Sequence, residues 1–229
     1  MFSQRSSEKE LLDQDNIPVK ELYRNLRELD FINHWLGGYS ISFSALKKVM
    51  KYGSDLHLVD IGCGGGDTLK RISTWNSGKR FKLKLSGVDL KSVCIDYARK
   101  NLAGHDVSLV WDDYKNIFDH FEHVDIIHAC LFCHHLTTPQ LVELIRFCRK
   151  HNCILIVNDL ERNPVAYHLI KALTFVFSKS YLVVNDAPLS VLRGFKKKEW
   201  IAILQESGAT NYTVANKWAF RHQVIVYPQ

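Results

Sequence analysis

The sequence predicts an α/β protein whose core is a doubly wound parallel sheet. Short apolar runs alternate with longer helical stretches, which is the pattern of strands joined by helical crossovers. Several of the runs are apolar throughout, as expected of strands covered on both faces. A glycine-rich turn also follows the first strand, at the edge of an open α/β sheet where ligands bind. At 229 residues the chain is long enough for one large domain, which is the simplest division.

The repeating part of the chain contains five predicted strands and four predicted helices. The strands are Leu56–Asp60, Lys84–Asp89, Val107–Trp111, Val124–Ala129 and Cys153–Asn158. The helices between them are Thr68–Thr74, Ser92–Leu102, Lys115–Phe121 and Pro139–Lys150. This order favours right-handed crossovers between parallel strands.

Both flanks depart from the repeat. Before the first strand, the pattern predicts helices at Val19–Asn33 and Ser42–Lys51. After the fifth strand, it predicts an apolar helix at Val165–Phe177, a loop through Asn185-Asp186-Ala187-Pro188, and a helix at Lys197–Glu206 that Gly208 ends. The tail contains strand-like runs at Asn211–Ala215 and Gln223–Tyr227, which predict a closing antiparallel hairpin.

Composition narrows the class of protein. Hydrophobic residues make up 46% and charged residues 24%, which is typical of a soluble globular domain. Six cysteines lie mostly in apolar runs, and residues 1–15 have no apolar signal core, so we expect free thiols and a cytoplasmic location. The net charge of +6 is scattered, and its one tight cluster, Lys196–Lys198, is interpreted as a solvated helix face rather than a nucleic-acid contact. Residues 165–184 include His168, Lys171 and Lys179 and fall short of the ~20 apolar residues of a membrane span.

The glycine turn restricts the ligand. Gly62, Gly64 and Gly66 follow Asp60 in a G-x-G-x-G pattern, whereas a dinucleotide fingerprint would place its third glycine at Asp67. A carboxylate there would repel a pyrophosphate at the helix start. A phosphate-free nucleoside with cationic groups, such as S-adenosylmethionine, suits the turn and the nearby carboxylate of Asp60.

Acids also end the second and third strands. Asp89 can accept hydrogen bonds from both hydroxyls of a ribose, although NAD-binding proteins use an acid in the same way. The third strand ends at Trp111, so Asp112 or Asp113 can accept from an adenine amino group, with Asp113 favoured by register. Three strand ends in the right order, each with an acid, favour a nucleoside site over simple helix caps.

These residues resemble class I S-adenosylmethionine-dependent methyltransferases. The resemblance depends on Asp60–Gly66, Asp89, Asp113 and Leu131–Leu136, and covers residues 56–160 most firmly. It is nearest to small-molecule methyltransferases of the ubiquinone and menaquinone type. Ile32–Gly38 and Asn158–Arg162 are similar to bacterial enzymes found beside type III polyketide synthases, which implies secondary metabolism.

The resemblance implies a Rossmann-like, seven-stranded sheet with an antiparallel last strand. It divides the single domain of residues 1–229 into a helical lid (1–51), a cofactor-binding core (52–160), a helical substrate-side insertion (161–200) and a closing helix with a hairpin (201–229). S-adenosylmethionine is the implied cofactor and S-adenosylhomocysteine its product. The implied cofactor-binding residues are Asp60, Gly62, Cys63, Gly64, Gly66, Asp89, Leu90, Asp112, Asp113 and Tyr114.

Candidate catalytic residues follow the fourth and fifth strands. A phenolic acceptor, with a pKa near ~10, must lose a proton on methylation, and a histidine suits this role at neutral pH. His134 and His135 are the candidate bases, with one facing the pocket and the other packed inward, although both can be structural. Asp159 and Arg162 are predicted to orient a substrate hydroxyl or carboxylate, or else to pair with each other.

No metal centre is expected. Cys130 and Cys133 lie beside the two histidines, but zinc usually takes two Cys pairs and the sequence has no second C-x-x-C. A magnesium site built from Asn158 and Asp159, as in catechol-type methyltransferases, is the alternative.

The leading hypothesis is O-methylation of a small phenolic or polyketide-like acceptor. Phe175, Phe177 and Tyr181 are candidates for an apolar pocket wall, although aromatic residues at this spacing are more often core. C- or N-methylation of a small molecule is a second hypothesis. A nucleic-acid methyltransferase is disfavoured because no Asn-Pro-Pro-Tyr motif follows the fourth strand, and a non-catalytic cofactor-binding protein is the remaining alternative.

Overall fold

The fold is taken from a computed structural model that describes residues 2–14, 16–50, 55–77 and 82–228. Seven strands in these ranges form one sheet with the order β3-β2-β1-β4-β5-β7-β6. They are β1 (Leu56–Ile61), β2 (Leu83–Asp89), β3 (Val107–Trp111), β4 (Ile126–Cys130), β5 (Ile154–Leu160), β6 (Tyr212–Lys217) and β7 (Arg221–Val226). β1 to β5 are parallel and β7 is antiparallel to both neighbours, which confirms the expected doubly wound sheet and its reversed last strand.

Helices cover both faces of the sheet. Within the described ranges they are α1 (Val19–Trp35), α2 (Gly38–Val49), α3 (Asp67–Asn76), α4 (Ser92–Asn101), α5 (Ile117–His120), α6 (Thr138–Lys150), α7 (Pro164–Phe177), α8 (Tyr181–Arg193) and α9 (Lys197–Glu206). Neighbouring residues of β1 show why the strands are apolar at successive positions. Leu58 belongs to the core formed with α2, α3 and α4, whereas Val59 belongs to the core formed with α6 and α9.

The helix predicted at Ser42–Lys51 begins earlier. Gly37 has a φ of +69°, so the chain reverses immediately after α1 and α2 starts at Gly38. Lys51, the predicted end of this helix and of the lid, lies outside the described residues.

The loop predicted through Asn185-Asp186-Ala187-Pro188 is wrong, because these residues lie within α8. Ser180 caps the helix by accepting from the Val183 N–H at 3.4 Å. The Asp186 carboxylate accepts from the backbone N–H groups of Leu11 and Leu12, each at 2.8 Å. Tertiary contacts therefore override the loop-forming tendency of this sequence.

Residues 2–14, which we call the N-terminal strap, differ from the helical lid expected over residues 1–51. Apart from one 3₁₀ turn at Leu11–Asp13, the strap contains no helix. It crosses α8, where the Ser6 N–H donates to the Leu192 carbonyl at 3.0 Å. It then reaches the loop after β4, where Arg5 donates to the carbonyl of Leu136 at 2.9 Å.

The cysteines are free thiols, as expected. Five are buried, and Cys130 is half-buried. Among the described residues, no helix has the length and apolar character needed to cross a bilayer.

Candidate active site

A cavity of about 950 Å³ opens at the carboxyl ends of β1 to β4. The volume is at the upper end of the ~300–1,000 Å³ typical of ligand pockets. Its walls come from the glycine turn, the residues after β2, β3 and β4, the strap and one face of α1. Phe175, Phe177 and Tyr181 do not line this cavity, so their expected role as its apolar wall is wrong.

The glycine turn is held open toward the cavity. Gly62 and Gly64 line it, with φ angles of +63° and +54° that favour glycine. A Cβ on Gly62 would lie 2.3 Å from the Phe132 ring. Gly66 does not line the cavity: a Cβ there would lie 2.7 Å from Leu102, so this glycine allows the turn to pack on α4. The structure therefore shows a packing role for Gly66, which was expected to contact the cofactor.

Asp89 joins the glycine turn to the end of β2. Its carboxylate accepts from the backbone N–H groups of Gly64 and Lys91, each at 2.9 Å. Burial raises the pKa of Asp89 above its ordinary value, which these N–H donors oppose. The carboxylate therefore lies at the cavity wall with its orientation set by two backbone donors.

Two further acids line the same end of the cavity. Burial, and then the nearby Asp30 charge, raises the pKa of Asp67 to about 6. Asp30 accepts from the Tyr39 hydroxyl at 2.6 Å and from Arg71 at 3.2 Å. This end of the cavity is thus acidic, which suits a cationic ligand and opposes a pyrophosphate.

Asp60 does not line the cavity, contrary to expectation. Its side chain is buried and lies 2.7 Å from Nδ1 of His128, whose Nε2 is 2.9 Å from the Ser42 hydroxyl. Successive strand residues face opposite sides of a sheet, so Asp60 shares the α2 side with Leu58. The carboxylate links β1, β4 and α2 rather than facing a ligand.

The residues after β3 do line the cavity, as does Leu90. Asp112 accepts from the Asp113 N–H, from Asn116 and, at 2.7 Å, from His120. Asp113 accepts from the Lys115 N–H through Oδ1. The Asp112 carboxylate is therefore the more heavily engaged of the two.

His134 and His135 both line the cavity, with exposed side-chain fractions of 3% and 24%. Asp159 lies behind His134 and is completely buried. Its Oδ1 is 2.7 Å from His134 Nδ1, and its Oδ2 accepts from the His134 N–H at 3.0 Å. Burial alone would raise the pKa of Asp159, but the His134 ring and the backbone donors outweigh it and hold this pKa low. The carboxylate can thereby keep the proton of His134 on Nδ1, which leaves Nε2 as an acceptor.

Two acids of the strap meet the outer side of the histidine pair. Oε1 of Glu10 is 3.6 Å from Nε2 of His134, and its Oε2 is 3.8 Å from Nε2 of His135. Asp13 lies 3.3 Å from Nδ1 of His135. Burial raises the pKa of Glu10, while the charge of His135 opposes it. The strap thus places two carboxylates beside histidines that lie more than 100 residues further along the sequence.

Arg162 lies outside the cavity lining. Its buried guanidinium donates to the Gly194 carbonyl at 2.6 Å and to Glu199 at 2.5 Å. Its ion partner is therefore Glu199 rather than Asp159. This corrects the expectation that Arg162 orients a substrate or pairs with Asp159.

Substitution of Arg162 should affect stability and leave the site intact. We expect R162A to lower the free energy of unfolding by about 3 kcal/mol, because it leaves Glu199 and the Gly194 carbonyl without their buried donor. Chemical denaturation measures this, with R99A as a control at an exposed ion pair to Asp96. Equal stability of R162A and the wild-type protein would contradict the assignment.

Comparisons with known proteins agree with this geometry. Residues 58–152 match a family model described as a methyltransferase domain. The matched residues make up about two fifths of the chain. No curated protein matches the chain in sequence.

Solved structures share the fold of this methyltransferase domain and its flanks. The plantazolicin methyltransferase BpumL, in complex with SAH, is 18% identical with a TM-score of 0.64, over 92% of this chain and 89% of that one. A SAM-dependent methyltransferase from Aquifex aeolicus is 15% identical with a TM-score of 0.61, over 92% and 98%. The pyocyanin biosynthetic protein PhzM is 18% identical with a TM-score of 0.55, over 83% and 55%. These structures show the fold, and the match of residues 58–152 to the methyltransferase-domain model supports the expected enzyme class, an S-adenosylmethionine-dependent methyltransferase, and its cofactor.

The cavity of the methyltransferase fits this cofactor. Among the described residues, Oδ1 of Asn33 and the hydroxyl of Tyr114 are buried without a hydrogen-bond partner, and both residues line the cavity. Buried polar atoms of this kind need a partner, which a ligand with amino and hydroxyl groups can supply. The acidic end formed by Asp30, Asp67 and Asp89 suits the cationic groups of S-adenosylmethionine.

Metal ligands are scarce in the part of the chain that the structure describes. Its one group able to hold an ion is Glu10, His134 and His135, whose ligand atoms lie within 4.8 Å of one another. The alternative magnesium site is not supported, because Asn158 donates to the Gly38 carbonyl at 2.9 Å and accepts from Arg221 at 3.3 Å.

Several cavity residues of the methyltransferase escaped the sequence analysis. They are Arg5, Asp13, Asp30, Asn33, Tyr39 and Arg193. The strap residues occur in a polar segment without a motif, and Asp30 lies in an ordinary helical pattern. Of these residues, only Asn33 could have been identified from the sequence, because it lies in the Ile32–Gly38 segment noted above.

Proposed function

We propose that the protein transfers a methyl group to a hydroxyl of a small aromatic acceptor, with His134 as the general base. The observation that carries this proposal is the buried Asp159–His134 pair at the cavity wall. S-adenosylmethionine, when bound, supplies an electrophilic methyl group. The residues that hold it in this proposal line the cavity on its glycine-turn side: Gly62, Cys63, Gly64, Asp89, Leu90, Asp112, Asp113 and Tyr114.

His134 performs the proton transfer in this mechanism. Asp159 accepts the Nδ1 proton, so the lone pair of Nε2 can take a proton from an acceptor hydroxyl in the cavity. Asp159 also stabilises the imidazolium that forms. Glu10, 3.6 Å from the same Nε2, can take up the proton in turn because burial raises its pKa.

The acceptor end of the cavity supports an anionic or phenolic substrate. The guanidinium groups of Arg5 and Arg193 line it beside the histidine pair. Arg193 is anchored by donating to the His134 carbonyl and to Asp13, each at 3.1 Å. Cationic side chains favour the phenolate form of an acceptor as its proton leaves.

A polyketide-like acceptor is the finer part of the proposal. The segments Ile32–Gly38 and Asn158–Arg162, which resemble enzymes beside type III polyketide synthases, meet in the structure through the Asn158–Gly38 hydrogen bond. Asn33 from the first segment also lines the cavity.

The direct test is incubation with S-adenosylmethionine and a panel of hydroxylated aromatic compounds, followed by mass spectrometry of the products. We expect a gain of one methylene unit on an oxygen. A product methylated on carbon or nitrogen, or methylation of nucleic acid alone, would overturn the proposed acceptor class. Binding of S-adenosylhomocysteine with no turnover on any compound in the panel would favour the non-catalytic alternative.

Metal removal should leave this reaction intact. We expect dialysis against a chelator to leave turnover unchanged within error, because Nε2 of His134 acts as a base rather than as a ligand. Turnover is measured before and after dialysis, with zinc or manganese added back as a control. Activity lost on dialysis and restored by one ion would instead assign Glu10, His134 and His135 as its ligands.

A further inference from the structure

The helix α7 presents an apolar stripe to solvent. Val165, Leu169, Ala172 and Val176 follow one another at helical spacing, and this outer face points away from the one buried side chain that α7 has, Thr174. The exposed fractions of Val165, Leu169 and Val176 are 55%, 60% and 66%. A stripe of this kind normally packs against another apolar surface.

The apolar surface extends beyond the outer face of α7. Phe175 and Phe177, near the end of the helix, are exposed by more than three-quarters. The Ser178 hydroxyl bonds to Glu28, which places the end of α7 beside α1. Phe31, three residues after Glu28 on the same side of α1, is 61% exposed. Exposed aromatic side chains therefore continue from one helix to the next.

The charged side chains of the α7 segment itself have one sign, and the acid beside it, Glu28 of α1, is bonded to Ser178 and to the Lys179 N–H. Residues 163–185 contain no Asp or Glu. His168, Lys171 and Lys179 are exposed in the same segment, and the whole chain has a net charge of +6. An apolar stripe in a segment that has basic residues and no acid of its own is complementary to an anionic surface.

We propose that the outer face of α7 docks the protein on the surface of an anionic lipid bilayer. A helix of 14 residues is about 21 Å long and therefore lies along a membrane rather than through it. Its apolar side chains enter the headgroup boundary while the lysines contact anionic headgroups. The exposed Phe175 and Phe177 at the end of α7, and the exposed Tyr181 that begins α8, suit this boundary.

A second copy of the chain is the less favoured occupant of this face. Lys171 and Lys179 would carry the same charge on both copies, and residues 163–185 offer no carboxylate to pair with them. Like charges placed together at an interface oppose association.

Sedimentation of the full chain with lipid vesicles tests the proposal. We expect binding to vesicles that contain phosphatidylglycerol, weak binding to phosphatidylcholine alone, and loss of binding at high salt. L169Q/V176Q should lower the binding constant at least tenfold, and K171Q/K179Q by about fivefold per lysine. The matched controls are V19Q, at an exposed apolar position of α1, and K47Q/K150Q, at exposed lysines elsewhere.

Each other outcome overturns the proposal. If L169Q/V176Q and K171Q/K179Q bind vesicles as tightly as the wild-type protein, the membrane contact lies on another surface. The wild-type protein could instead fail to bind vesicles and elute as a dimer in size-exclusion chromatography. If L169Q/V176Q then elutes as a monomer, the outer face of α7 is an interface between two copies of the chain. Thermal melting of each variant verifies that the fold is intact, and all four substituted residues in and after α7 are exposed.

Discussion

Replacing His134 with alanine is expected to lower kcat for methyl transfer by about 10²–10⁴-fold, the usual contribution of a general base. The affinity for S-adenosylhomocysteine should stay close to that of the wild-type protein, because His134 is not among the residues proposed to hold the cofactor. Steady-state kinetics with the best acceptor of the panel measures kcat, and calorimetry measures the affinity.

The variant D159N tests whether His134 acts as a base or has only a structural role. An asparagine can donate to Nδ1 of His134 and so move the proton to Nε2, which removes the acceptor while the residue shape is kept. We therefore expect D159N to reduce kcat by a similar factor. H135A keeps the Asp159–His134 pair and should reduce kcat by about tenfold or less. Full activity in both H134A and D159N would refute the base assignment.

Removing the charge of Asp89 should weaken cofactor binding about 10–100-fold, the range expected for hydrogen bonds to a charged group. The carboxylate accepts from the N–H groups of Gly64 and Lys91, so the amide of D89N places a donor against one of them. The variant thus disturbs the glycine turn as well as the proposed ribose contact. Titration calorimetry with S-adenosylhomocysteine gives the ratio of the two dissociation constants.

A matched control for Asp89 is Asp96 on α4, whose exposed carboxylate pairs with Arg99. D96N changes the same charge about one helical turn into α4 and should bind cofactor normally. If D89N and D96N bind S-adenosylhomocysteine equally well, Asp89 has no part in holding the cofactor.

The part of the site that depends on local pattern could be predicted from the sequence. Gly62, Gly64 and Asp89 occur at strand ends, and parallel strands bring their carboxyl ends to one edge of the sheet. Asp60 is instructive because the same pattern gave it the wrong role. The alternation of strand side chains places it on the α2 side with Leu58, where His128 is its hydrogen-bond partner.

Contacts between distant segments could not be predicted. Glu10 and Asp13 are acids in a polar segment, and their histidine partners lie more than 100 residues further along the chain. The loop prediction around Pro188 failed for a related reason. Asp186 accepts from strap amides, and this bond between two unpatterned segments holds α8 in a sequence that locally favours a turn.

The positions of the cysteines allow local opening of the structure to be measured by the rate at which each thiol is alkylated. The half-buried Cys130 lines the cavity, so its rate of alkylation should fall when a ligand fills it. Cys148 lies on the buried side of α6, and burial raises the pKa of its thiol, so a maleimide reaches it only when this helix separates from the sheet. Mass spectrometry of a timed alkylation therefore distinguishes motion at the site from unfolding of the whole domain, without any added label.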